Sequence, residues 1–175
     1  MVLFFVDIWE VIRDFLESGG LVLSVIFFAT AFQWVLILER FWFLNKVFPK
    51  IAQETIEKWQ AREDKFSWRG HKVRQCKISE AAIQANRNIP TIKTLVALCP
   101  LLGLLGTVSG MIVVFEVMAN MGTSNARLMA GGISMATIPT MAGMVAALSG
   151  IYFGSRLESR SKLEIERLED SLPYH

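Results

Sequence analysis

Residues 99–115 read "CPLLGLLGTVSGMIVVF", a run apolar enough to cross a bilayer that is nevertheless interrupted by Pro100, Gly103, Gly106 and Gly110. In water each of these residues costs a helix roughly 1–3 kcal/mol relative to Ala. In hydrocarbon the balance changes, because helices gain little by burying apolar surface against one another and associate through small residues that let backbones approach. Gly103, Gly106, Thr107 and Gly110 fall on one helical face, and further along the chain Ala136, Thr140, Gly143, Ala147 and Gly150 form a second strip of the same kind. The stretch is therefore read as half of a close-packed pair of membrane helices. Its small-residue faces are also expected to bring copies of the chain together. Pro100 and Pro139 each free a backbone carbonyl that needs a neighbour or water.

Working outward, more than half of the 175 residues are apolar and the mean hydropathy is positive, which places the chain in the membrane class. Residues 21–38, "LVLSVIFFATAFQWVLIL", carry no ionisable group and stop at Glu39 and Arg40, a length that suits a first span. The second span is read from about Thr94 to Met118 with Glu116 as its only charge, and the third from about Leu128 to Gly154. Lys and Arg crowd between Arg40 and Lys93 and return at Arg156, Arg160, Lys162 and Arg167, whereas the hinge from Ala119 to Arg127 holds only Arg127. By the positive-inside rule this predicts a periplasmic N-terminus and a cytoplasmic C-terminus.

The expected organisation is an all-α membrane protein with five segments. Residues 1–20 lack the basic start and small-residue cleavage site of a signal peptide. Phe4, Phe5, Ile8, Trp9, Ile12, Phe15 and Leu16 recur at helical spacing, so this piece reads as an amphipathic helix on the outer interface or as a cap packed on its own chain. Residues 21–44 form the first transmembrane helix. Residues 45–93 form a cytoplasmic segment with helices at "IAQETIEKWQAREDKF" and "ISEAAIQANRNI", separated by a basic turn at "SWRGHKVRQC". Residues 94–154 hold the hairpin of spans two and three, which extend into the cytoplasm. Residues 155–175 continue the third helix as a tail whose seam, Leu157, Ser161, Ile165, Leu168 and Leu172, is expected to pack on copies of itself.

The chemistry available is narrow. Cys76 and Cys99 make no spaced pair, and no metal or cofactor is expected. Ser109 in "GTVSG" would need a general base to act as a nucleophile, and the histidines, His71 and His175, lie far away in sequence, so an enzyme is not expected. The basic patch around Trp68 and His71 is read as touching anionic membrane lipid, not nucleic acid. Counted from a hinge centred near Asn125, Thr107 and Thr140 differ in depth by about one helical turn at about 1.5 Å per residue. With Ser109, Ser134 and Thr137 they are candidates for a polar ladder through the membrane, although each hydroxyl alone is equally served by a carbonyl in its own preceding turn. Glu116 reads as an interfacial acid or a lumenal one.

"PLLGLLGTVSGM" at 100–111 and "GGISMATIPTMAGMVAAL" at 131–148 resemble the paired signature of the MotA/TolQ/ExbB proton channel family, and the short chain with its cytoplasmic mass between spans one and two is most similar to the ExbB branch. That resemblance implies a homo-oligomeric ring, typically a pentamer, in the inner membrane of a Gram-negative bacterium. The ring would enclose an ExbD-like single-span partner with an intramembrane Asp. It would use the proton motive force to drive a TonB-like protein in the uptake of iron or another nutrient across the outer membrane. A TolQ-like role in envelope maintenance, or a non-conducting scaffold, is the alternative. The family's pore threonines fall on Thr107 and Thr140. The acid that many relatives carry in span three is replaced by Met135, and a later proline by Ser149, with Pro139 displaced upstream. A partner must then supply the proton-binding group.

Overall fold

The structure, a computed structural model, describes residues 13, 19–62, 67–121 and 126–173. The expected N-terminal amphipathic helix and the centre of the hinge lie outside the described residues. The described chain is all-helical: α1 (Gly20–Trp42), α2 (Phe48–Gln60), α3 (Trp68–Asn86), α4 (Ile89–Met121) and α5 (Ala126–Asp170). Of these, α1, α4 and α5 each contain a stretch long and apolar enough to cross a membrane.

Local chemistry sets the boundaries. Gly20 opens α1 with φ +67°, a left-handed conformation that a Cβ would penalise. Between α1 and α2 the five residues Phe43–Val47 form a π-helical turn, in which the N–H of Phe48 donates to the carbonyl of Phe43. The cause is Pro49: it has no N–H to offer the carbonyl four residues back, and its ring crowds that carbonyl, so the hydrogen-bond ladder slips by one residue. Ser67 caps α3 by accepting the N–H of Gly70 at 3.2 Å, which corrects the expectation of a turn across 67–76. That basic stretch is helical, and the break falls before the cap. At the other end, Arg87 is extended and Asn88 takes φ 66°, turning the chain into α4. Asn is among the few residues that tolerate this region. With Pro90 in its first turn, where the missing N–H has no intrahelical partner to lose, α4 starts before the Thr94 read from hydropathy.

The chain forms two compact units. The first comprises residues 1–33 and 94–150, built from the start of α1 and most of α4 and α5. The second comprises residues 34–93 and 151–175. Its core holds Phe48, Trp59, Ala81, Ala85, Ile92, Leu157, Leu168 and Leu172. Two polar knots pin its helices. Buried Arg40 donates to the carbonyl of Gln84 at 3.1 Å, lies 3.2 Å from Glu39 and covers the Phe43 ring. Arg74 donates to the carbonyls of Leu172 at 2.8 Å and Glu169 at 3.0 Å, tying the end of α5 to α3.

The tail seam needs a correction as well. Leu157, Ser161, Leu168 and Leu172 are buried inside one chain, and the Ser161 hydroxyl donates to Asn86 at 3.0 Å. The apolar stripe is spent on the chain's own helices, so it is not a free seam for other copies.

Candidate functional site

In the first unit α4 and α5 run as an antiparallel hairpin in which glycines of one helix receive the backbone of the other. A Cβ built on Gly103 would lie 3.0 Å from the Thr140 Cα, on Gly106 2.5 Å from the Pro139 Cβ, and on Gly110 2.5 Å from the Ala136 nitrogen. From the opposite side a Cβ on Gly143 would lie 2.5 Å from the carbonyl oxygen of Cys99. Buried Pro139 thus seats its ring in the notch at Gly106, while Pro100 is half-buried. Ala136 and Ala147 are buried in the same strip. These contacts correct the expectation that the glycine faces join copies of the chain: they close the hairpin within a single chain, because there the backbones already touch.

The hydroxyls are placed by this packing. Thr140 donates across the hairpin to the carbonyl of Gly103 at 3.0 Å. Thr107 donates to Leu104 in its own helix at 2.7 Å, Ser109 to Gly106 at 3.0 Å and Thr137 to Ile133 at 2.9 Å. Ser109, Ser134 and Thr137 are exposed on this chain, and Thr107 and Thr140 half-buried. The threonine hydroxyls therefore donate to separate carbonyls, not to each other. Thr140 stands level with Gly103, one helical turn or about 6 Å from Thr107. Each oxygen keeps acceptor capacity for a further partner.

Met135 packs its side chain against the Gly20 turn. Ser149 donates to Ala146 at 2.8 Å. Glu116 is exposed near the hinge end of α4, well removed in sequence from the threonines. Apart from Glu116 the three spans carry no ionisable side chain, which leaves no carboxylate at the depth of Thr107 and Thr140.

One residue escaped the sequence reading. Gln33 is fully buried; it accepts the Cys99 thiol at 3.7 Å through Oε1, and its Nε2 has no partner among the described residues. Gly150 makes room for that amide, since any Cβ there would strike Gln33 Nε2 and Val96 Cγ2. The signal was present: Gln33 is the lone amide in the apolar run 21–38, and an amide in hydrocarbon seeks the helix bundle.

Comparison with known proteins bears on this hairpin directly. The sequence profile of the MotA/TolQ/ExbB proton channel family matches residues 44–170, well over half of the chain. The biopolymer transport protein exbB1 of Vibrio cholerae is 31% identical over 98 residues, which cover 55% of this chain and 43% of that protein. The alignment thus spans less than half of that relative's length.

Proposed function

Since this chain belongs to the MotA/TolQ/ExbB proton channel family, we propose that it is the ExbB-type subunit of a motor driven by the proton motive force, working with a single-span partner to energise a TonB-like protein. Several copies, five in the reading given by resemblance, surround the partner in the inner membrane. The N-terminus lies in the periplasm, and the segments rich in Lys and Arg, 45–93 and 155–175, lie in the cytoplasm.

The observation that carries the proposal is the pairing of a close-packed hairpin, uncharged around Thr107 and Thr140, with threonine hydroxyls that remain partly accessible. A proton path needs a group that binds and releases a proton, and the spans of this chain offer none at that depth. An Asp in the partner supplies it. While that Asp is protonated, the threonine oxygens accept its O–H and keep donating to Gly103 and Leu104. When it ionises, the hydroxyl protons swing from those carbonyls to the carboxylate and offset part of its desolvation cost. The threonines then tune the acid, and about 2.3 kcal/mol per charge per 100 mV is available to move the partner. Replacing Thr140 by Val should lower motor output about tenfold, the scale of one net hydrogen bond, in a complex that still assembles. Unchanged output would leave the hairpin as a scaffold. Co-purification selects the pathway: a TonB-like protein in the complex supports the uptake role, a TolA-like one the envelope role.

A further inference from the structure

Beyond the hairpin, the second unit has a small open pocket of about 150 Å³ where α5 leaves its charge-free stretch. It is lined by Ile37, Phe41, Tyr152, Phe153, Arg156 and Arg160 together with buried Leu157. Its upper wall is aromatic and aliphatic, and its lower wall carries two guanidinium groups one helical turn apart. The Arg160 guanidinium lies 5.4 Å from the centre of the Phe41 ring, and Phe153 packs on Trp34 at 5.0 Å.

The charges in this pocket are uncompensated. Glu158 stands between the two arginines in sequence, but it is held by Lys93 at 2.7 Å and Lys162 at 3.4 Å. Those lysines keep its carboxyl below the ordinary carboxylate range, so it stays ionised and engaged with them. Among the described residues neither Arg156 nor Arg160 forms an ion pair. Other basic residues of this unit behave differently: Arg40, Arg74 and Lys93 all have acidic or carbonyl partners within the chain.

We propose that this pocket binds the phosphodiester of an anionic membrane phospholipid, with Arg156 and Arg160 on the phosphate and Phe41, Tyr152 and Phe153 against the glycerol and the first acyl carbons. Depth supports the match. Arg156 and Arg160 lie about 6 and 12 Å beyond Tyr152 along the helix axis, which with their side-chain reach covers a headgroup layer roughly 5–8 Å deep. Guanidinium groups pair with phosphate bidentately and are weakly hydrated, which suits a half-apolar pocket better than ammonium groups would. The occupant is a lipid and not a soluble phosphate because the wall above the arginines is apolar and continuous with the spanning surface. This site differs from the Trp68 and His71 patch, where Lys72 instead covers the Trp68 ring at 5.8 Å.

The test is native mass spectrometry of the full chain, purified with phosphatidylglycerol or phosphatidylcholine added and with inorganic phosphate as competitor. Retention of phosphatidylglycerol over phosphatidylcholine, reduced on the order of tenfold in R156Q/R160Q but kept in R69Q/K72Q, is the expected result. Both pairs of substitutions are on exposed side chains, and thermal melting in detergent checks that each protein remains folded. Equal retention in R156Q/R160Q would overturn the proposal, as would equal loss in R69Q/K72Q, which would reduce the effect to general surface charge. Displacement of the lipid by millimolar inorganic phosphate would make the site one for free phosphate and overturn the lipid assignment. A cross-link from position 156 to an acidic residue of a second copy, with no lipid retained, would overturn it in favour of a contact between subunits.

Discussion

Gly143 has almost no tolerance for a side chain, because a single Cβ would press 2.5 Å from the Cys99 carbonyl oxygen. Overpacking of this kind costs typically 1–3 kcal/mol, and at Gly143 the obstacle is backbone that cannot rotate away. Gly143→Ala should therefore lower the stability of the isolated subunit by about that amount, read by unfolding in graded SDS, and Gly143→Leu should prevent a stable hairpin. If Gly143→Leu unfolded like the parent and lost only its oligomer, the glycine would face a neighbouring chain after all. Gln33 gives the opposite case. Its unpartnered Nε2 is a burden in the membrane interior, and replacing a poorly satisfied polar group by an apolar one of similar shape is close to neutral. Gln33→Leu should leave the melting temperature unchanged or raised. A marked fall would mean that the amide has a partner in the assembled protein. The small residues at 103–110 and 136–150 were legible from spacing, but not whether they faced another span or another chain, since both settings reward close backbone approach. Gln33 stands out locally as the one amide of residues 21–38, but the space that receives it comes from Gly150, more than a hundred residues away.

Arg74 shows how an element is finished from outside. Arg74 on α3 donates to the carbonyls of Glu169, in the last turn of α5, and Leu172, just past it. Arg74→Ala should fray α5 locally: amide exchange over residues 166–172 should accelerate while that of α4 does not change. The ion group of Lys93, Glu158 and Lys162 predicts a dependence on acid. The folded-state pKa of Glu158 is depressed, with the hydrogen bond from Lys93 as the leading cause. Its contribution is then fully present above the unfolded value of about 4.3 and is lost as pH falls through the lower folded value. Amide exchange near residues 155–162 should speed up on acidification through that window, and Glu158→Gln should abolish the pH dependence. At this scale, hydropathy located the apolar stretches, while the helix boundaries depended on single residues. Ser67 capped a helix where a glycine-containing basic stretch read as a turn. The π turn at Phe43–Val47 follows from Pro49, whose effect on the hydrogen-bond ladder is visible only once the helix is known to continue through it.

In this member of the MotA/TolQ/ExbB proton channel family, the glycine seam packs within the first unit and the leucine seam within the second. Its orientation can be tested with native thiols alone, because Cys76 is exposed and Cys99 is buried. If residues 45–93 are cytoplasmic as proposed, a membrane-impermeant maleimide should label Cys76 in inverted vesicles and not in intact cells; labelling from outside would reverse the topology. The central claim concerns where the proton binds, and proton flux in sealed vesicles under an applied potential tests it most directly. The account predicts flux no greater than that of empty vesicles for this chain alone, coupled flux when a single-span partner with its intramembrane Asp is added, and loss of that flux in Thr107→Val with Thr140→Val in a complex that stays assembled. Selective proton flux through the isolated chain, abolished by Glu116→Gln, would contradict it and place the proton-binding group in this subunit.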